Sequence, residues 1–354
     1  MNMITQIFNL NNIFIFIAQS IFTIWIINFL NNKIFSNLHL IYRAEQKIHK
    51  GFVSRSGGLT IVFSFIVFYL LSNDENFIGF ILIACLPIIL VGFLEDFFNN
   101  IRPSVRLNAT LFSSFLLIQF PGLSLPMIDL PLLSYFFQMF PITLIFFLIL
   151  SMTALANSIN MIDGSNGLML ASVAIIIFCL IGISIDVNDE QLITFYSFFL
   201  TSILALLFFN FPFQKIFTGD MGAYVIGLIL GFSIIFLYGR YPEHITWEVG
   251  LVLFYPIYEL LFTMFRRKFF NNSNITTADD KHLHQLIFYS LKNYFNNRTA
   301  NNLVLILMFP LILLPFLIMY TYDFSMEFQQ VISSMIVLSF LYNLYYWFFY
   351  TKNR

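Results

Sequence analysis

Long apolar runs succeed one another along this chain, and they limit what it can fold into. They cover Ile13 to Leu30, Leu59 to Leu71, Phe77 to Leu94, Tyr135 to Ala156, Leu168 to Ile185, Phe195 to Phe209, Tyr224 to Leu237, Val249 to Phe265, Leu303 to Tyr320 and Val331 to Tyr350, with a shorter one from Leu107 to Phe120. A helix needs about 20 apolar residues to cross the hydrocarbon, and somewhat shorter stretches also serve. Lipid offers the backbone no hydrogen-bond partner, so such runs must be helices or a closed barrel. Barrel strands alternate apolar and polar residues, whereas these runs are continuously apolar. The expected fold class is all-α, a polytopic membrane helix bundle of about eleven transmembrane helices.

Composition agrees: 59% of the residues are hydrophobic and 10% charged, against roughly a quarter charged in soluble domains. Cys85 and Cys179 both lie inside expected spans, which argues against a disulfide framework. Met1 to Asn12 carries no Lys or Arg, and no small-residue cleavage pattern follows the first run. That run reads as a retained first helix rather than a cleaved signal peptide.

The basic residues give an orientation. Threading the runs with the N-terminus outside and the C-terminus cytoplasmic puts every Lys and Arg except Arg240 in an inside loop. Asp74, Glu75, Asp186, Asp189, Glu190, Asp323 and Glu327 fall outside. Cytoplasmic loops of membrane proteins carry such an excess of Lys and Arg. The Leu107 to Phe120 run gains support, because omitting it would invert every later loop. The expected organisation is one transmembrane domain, residues 1–354, with cytoplasmic loops at 31–58, 95–106, 157–167, 210–222 and 266–302.

Acids on the inner face are the informative charges, since a carboxylate at the end of an apolar helix is costly unless it has a partner or a task. Glu95 and Asp96 end the third run in Gly92-Phe93-Leu94-Glu95-Asp96. Asp163 lies in Asn157-Ser158-Ile159-Asn160-Met161-Ile162-Asp163-Gly164, and Asp220 in Phe217-Thr218-Gly219-Asp220. Taken singly, an Asp-Gly pair at a helix end is more often a cap or turn than a ligand. Carboxylates recurring at one membrane depth, faced by Arg and Lys, suggest instead a hard divalent cation and a phosphorylated ligand.

Together these segments resemble the polyprenyl-phosphate N-acetylhexosamine-1-phosphate transferases (glycosyltransferase family 4), in the branch that initiates surface polysaccharides. The resemblance runs from about Lys47 to Gln285. Gln46-Lys47-Ile48-His49 with Arg55-Ser56-Gly57-Gly58 looks like the family's first inner loop, and Gly92 to Asp96 with Arg102-Pro103-Ser104-Val105-Arg106 resembles its acidic-pair motif. Asn157 to Leu168 is similar to its Asn-x-x-Asn-x-x-Asp-Gly motif. Asn210-Phe211-Pro212-Phe213 through Asp220 is similar to its Gly-Asp motif. Pro256-Ile257-Tyr258-Glu259, Arg266-Arg267 and His282-Leu283-His284-Gln285 resemble its last inner loop.

The resemblance implies that undecaprenyl phosphate attacks the β-phosphorus of a UDP-N-acetylhexosamine, releasing UMP and starting O-antigen or a similar cell-surface polymer. It implies catalytic roles for Glu95, Asp96 and Asp220, with Mg²⁺ at Asp220 and Asp96 and Mn²⁺ as a substitute. Lys47, His49, Asn160, Asp163, Phe217, Arg266, His282 and His284 become substrate-binding candidates. A bacterial inner (cytoplasmic) membrane location and no nucleic-acid partner also follow, while homodimerisation stays open.

Other readings compete. Lys47 and Arg266 also serve as positive-inside anchors, and Arg267 could replace Arg266. Two histidines at i and i+2 share a face only in extended backbone, so His282 and His284 on a helix would diverge. Many members have Asp-Asp where this chain has Glu95-Asp96, and a second acid where it has Asn166. A membrane transporter or lipid flippase is the alternative from another class. Transporters, however, hold ionisable groups near the midplane on broken helices and often show inverted repeats; here the acids cluster at the inner boundary.

Overall fold

The computed structural model describes residues 10–30, 53–72, 75–129, 131–269 and 280–353. Lys47 and His49 lie outside the described residues. The described chain is helical: α1 (Leu10–Leu30), α2 (Gly57–Leu71), α3 (Glu75–Phe98), α4 (Pro103–Ile118), α5 (Pro131–Met139), α6 (Pro141–Ile162), α7 (Leu168–Asp186), α8 (Glu190–Asn210), α9 (Gly219–Arg240), α10 (Glu248–Val252), α11 (Phe254–Phe269), α12 (Leu283–Lys292), α13 (Asn297–Thr321) and α14 (Phe328–Lys352).

Every expected apolar run falls on a helix, and the chain is a multi-pass membrane protein. Among the described residues, 8 helices are long and apolar enough to cross a bilayer: α1, α3, α6, α7, α8, α9, α13 and α14. The α2, α4 and α11 helices are shorter, at 15, 16 and 16 residues. Two runs are divided. The run from Tyr135 to Ala156 begins in α5 and continues in α6, which starts at Pro141 and extends to Ile162. Proline is well placed at a first helical position because it has no N–H to leave unsatisfied. The run from Val249 breaks at Leu253 between α10 and α11.

The α9 helix is the centre of the bundle and is buried from Gly219 to Tyr238. It packs against α2, α3, α4 and α6. Small residues allow this: a Cβ on Gly227 would lie 2.5 Å from Ala156 Cα of α6, and one on Gly92 of α3 would lie 2.5 Å from Met221 Cα. In a membrane, where apolar side chains gain little by leaving lipid, such close backbone contact is a main source of association. Large apolar side chains such as Phe14, Trp25, Leu90, Phe146, Ile306 and Phe340 are exposed on the outer faces, as lipid requires. Cys85 and Cys179 are free and buried.

Polar networks gather at two opposite ends. At one end Asp129 accepts from Thr246 and from Trp247 Nε1, Asp189 pairs with Arg240, and His244 lies between Glu248 and Asp186. The other end carries the expected site residues.

Candidate active site

The acidic pair at the end of α3 meets the start of α9. Asp96, 9% exposed, accepts the backbone N–H of Asp220 at 2.8 Å on one oxygen and that of Met221 at 2.9 Å on the other. The first N–H groups of a helix have no partner within it and form its positive end, so a carboxylate is favoured there. Gly92 makes the approach feasible one turn earlier. Gly219 is required as well. Its φ is +76°, and a Cβ there would meet Arg55 O and the Asp96 carboxylate.

A short strand-like pairing then lays the segment before α2 along the segment before α9. Phe217 N donates to Ser54 O, Gly57 N to Phe217 O and Gly58 N to Thr218 O, each at 2.8 Å. Phe217 thus contributes its backbone to this pairing. Arg55 is carried to the acids by it: its guanidinium hydrogen-bonds one oxygen of Asp220 and lies 3.5 Å from Asp96 Oδ1. Arg106, one turn into α4, hydrogen-bonds the other Asp220 oxygen and lies 3.6 Å from Glu95 Oε1. Glu95 also accepts the backbone N–H of Ile101 at 2.8 Å, closing the turn between α3 and α4.

Asp163, just past α6, interacts electrostatically with Arg55, Asp220 and Asp96. Burial pushes its carboxyl well above the usual range; Arg55 opposes this, and the Asp220 and Asp96 charges add to it. Burial disfavours the Arg55 cation too, but Asp220, Asp96 and Asp163 outweigh it and keep the guanidinium charged. Asn160, a turn earlier, donates to Tyr224 Oη at 3.3 Å and faces α9. A shallow, mostly apolar cleft beside the arginine is lined by Ser54, Arg55, Ser56, Leu59, Phe93, Asp96, Phe97 and Met221.

The Asp-Gly loop is tied down from behind. Asn210 accepts Gly167 N at 2.6 Å and donates to Ile216 O at 2.8 Å, joining the loop after α6 to the segment before α9. Asn166 N donates to Asn301 Oδ1 at 3.0 Å and its side-chain amide to Asn302 Oδ1 at 2.9 Å, both on α13. At the position where the sequence resemblance implies a second acid, this chain has an amide that fastens the loop to α13.

His282 and His284 reach the loop from the far side. His282 is the N-cap of α12 in extended backbone, φ −71° and ψ 150°. The two rings therefore stack, with centroids 5.6 Å apart and planes 7° from parallel. Two helical residues would diverge, and the extended cap is what brings these together. A Cβ on Gly164 would lie 2.3 Å from His284 Nε2, so the pair packs on the Asp163-Gly164 turn. Burial lowers the pKa of His284 to about 3, with His282 adding and Glu259 opposing. Arg266 is buried in the last turn of α11.

The structure therefore gathers Glu95, Asp96, Asp163, Asp220, Asn160, Phe217, His282 and His284 at one end. It adds Arg55 and Arg106, which sequence reasoning treated only as motif and loop residues. The usable signal was their position, each basic and beside a span boundary on the acidic face. The donor chemistry suits a hard divalent cation, because four carboxylates face two guanidinium groups and all donors are oxygens. Among the described residues no three acidic, His or Cys side chains stand close enough to hold an ion as arranged, and both Asp220 oxygens are taken by arginines.

Comparison with known proteins places this architecture. The model of the family described as "Glycosyl transferase family 4" matches residues 77–238, from α3 to the end of α9. A Bacillus subtilis protein, provisionally named an undecaprenyl-phosphate N-acetylglucosaminyl 1-phosphate transferase, is 28% identical over 251 residues, 68% of this chain and 67% of its own. A Saccharolobus solfataricus protein, provisionally named a UDP-N-acetylglucosamine–dolichyl-phosphate N-acetylglucosaminephosphotransferase, is 30% identical over 230 residues, 61% of this chain and 67% of its own. The Thermotoga maritima undecaprenyl-phosphate alpha-N-acetylglucosaminyl 1-phosphate transferase is 26% identical over 251 residues, 68% and 70% of the two chains. The chain belongs to glycosyl transferase family 4 and is a membrane-embedded transferase of that family.

Proposed function

We propose that this protein transfers an N-acetylhexosamine 1-phosphate from a UDP-sugar to a polyprenyl phosphate, undecaprenyl phosphate being the acceptor in a bacterial inner membrane. A phosphate oxygen of the lipid attacks the β-phosphorus, the bond from that phosphorus to the bridging oxygen breaks, and UMP leaves with the electron pair. A phosphate monoester is already largely ionised at neutral pH, so the attack needs positioning and charge neutralisation more than a base.

The observation that carries this reading is the coupling of Asp220 to Arg55 and Arg106 beside an apolar cleft. Arginine forks match phosphate geometry, and both could exchange Asp220 for phosphate oxygens when substrates bind. Leu59, Phe93, Phe97 and Met221 line the wall along which the first isoprene units would lie. Asp220 and Asp96 would hold Mg²⁺, which, when bound, neutralises phosphate charge; Mn²⁺ is the expected substitute. Asn160, Asp163, His282 and His284 would face the nucleotide sugar across the turn after α6, and Arg266 would sit behind it. The same reading puts the α1 N-terminus outside and the site end in the cytoplasm, where nucleotide sugars are made, and gives the product a place in the initiation of O-antigen or a similar surface polymer. Family membership favours this enzyme over a transporter.

The test is to incubate detergent-purified protein with polyprenyl phosphate, Mg²⁺ and a panel of UDP-N-acetylhexosamines, then extract and identify the lipid product. A lipid diphosphate sugar formed from one donor, and absent in Asp220→Asn, supports the reading. No lipid product from any donor with folded protein refutes it.

A further inference from the structure

Glu259, on α11, is fully buried and forms no part of the charge network at Asp220. Its Oε1 lies 3.0 Å from His282 Nδ1 and also accepts the backbone N–H of Leu283 at 3.4 Å. Its Oε2 accepts the hydroxyl of Tyr342, from α14, at 2.5 Å. Thr263 Oγ1, one helical turn after Glu259, lies 3.3 Å from the same His282 nitrogen. A carboxylate offers only lone pairs, so the proton on His282 is held at Nδ1 and Nε2 becomes the nitrogen able to accept one. The N-cap geometry and the stack on His284 fix the ring plane against the Asp163-Gly164 turn.

We propose that Glu259, steadied by Tyr342, is a positioning residue that sets the tautomer and orientation of His282, and through it the placement of the diphosphate of the nucleotide sugar. This rests on the transferase reading and on a role for His282 within it. It brings into the site a residue of the last helix, α14, far in sequence from the segment that the family model matches.

At metal sites, partners that orient a ligating histidine are worth about 10- to 100-fold when removed, and the same kind of orienting bond is at stake here. In the full-length protein, Glu259→Gln is expected to lower kcat by about that factor, with little change in KM for the lipid. Glu259→Asp should restore part of the rate. In a His282→Ala background, Glu259→Gln should have no further effect, since neighbours acting through one group are non-additive. Tyr342→Phe, which removes one hydroxyl, should lower kcat several-fold and also lose its effect in His282→Ala; it serves if Glu259→Gln fails to fold.

Equal losses from Glu259→Gln or Tyr342→Phe with and without His282 would overturn the proposal, as would unchanged kcat in both single variants. If His282→Ala turns over at the wild-type rate, the role given to His282 falls and this inference with it. Absence of lipid product from the wild-type protein instead refutes the transferase reading.

Discussion

The carboxylate of Asp96 accepts the backbone N–H of Asp220 at 2.8 Å, so the acid that ends α3 caps the helix that begins with the other acid. Asp96 thus has both oxygens on backbone donors, whereas Asp220 has both on arginines. The two acids should respond differently to neutralisation. Asp96→Asn loses one acceptor and turns an amide toward an N–H, which costs about 1–3 kcal/mol for a buried unsatisfied group. Asp220→Asn keeps the helix N-terminus capped by Asp96 and leaves Arg55 with Asp96 at 3.5 Å and Arg106 with Glu95 at 3.6 Å, so it should cost less stability. Both should lose at least about 100-fold in activity. Thermal unfolding in detergent, beside product formation, checks this; equal destabilisation would contradict it.

Gly219 and Gly122 form a matched pair. Both have positive φ, +76° and +80°, but a Cβ at Gly219 strikes Arg55 O while nothing lies within 4 Å of one at Gly122. Gly122→Ala should cost only the left-handed backbone penalty, roughly 1–2 kcal/mol. Gly219→Ala should displace Arg55 and Asp96 and abolish activity. An active Gly219→Ala protein would show that the pairing before α9 is looser than described.

Asn166 should not behave as a missing acid. Replacement by Asp puts a carboxylate opposite the Asn302 oxygen that its amide now bonds. Asn166→Asp should therefore lower stability by about 1–3 kcal/mol and raise no activity. A variant that gains turnover would restore a ligand role to that position.

At the opposite end of the bundle, His244 Nδ1 lies 3.2 Å from Glu248 Oε2 and its Nε2 3.4 Å from Asp186 Oδ2. Burial opposes the imidazolium, but Glu248, Asp186 and Glu243 prevail and raise its pKa above the ordinary value. A raised folded pKa contributes stability fully present below about pH 6.5, the unfolded value, and lost as pH rises through the folded one. His244→Gln should thus be less stable than wild type at pH 5.5 and converge with it at high pH. A gap that widens with rising pH would contradict the assignment.

Much of this was legible in the sequence because membrane insertion imposes simple rules. The apolar runs gave every long helix, and Glu95, Asp96, Asp163 and Asp220 stood out as charges at the ends of spans. What stayed hidden depended on three-dimensional pairing. Nothing in Ser54-Arg55-Ser56 announces that a bridge to Ile216 will carry Arg55 onto Asp220. The stack of His282 on His284 depends on an extended cap that a helical reading of the segment denies. The role of Glu259 was hidden as well, because its partners come from α12 and from Tyr342 of α14, distant in sequence.

The nucleotide released tests the central claim most directly. Attack at the β-phosphorus leaves UMP, whereas attack at the sugar carbon would leave UDP. Wild-type protein with polyprenyl phosphate, Mg²⁺ and its preferred UDP-N-acetylhexosamine should release UMP in step with lipid product, with neither formed in EDTA or by Asp220→Asn. UDP as the released nucleotide, or UMP formed without lipid acceptor, would contradict the account.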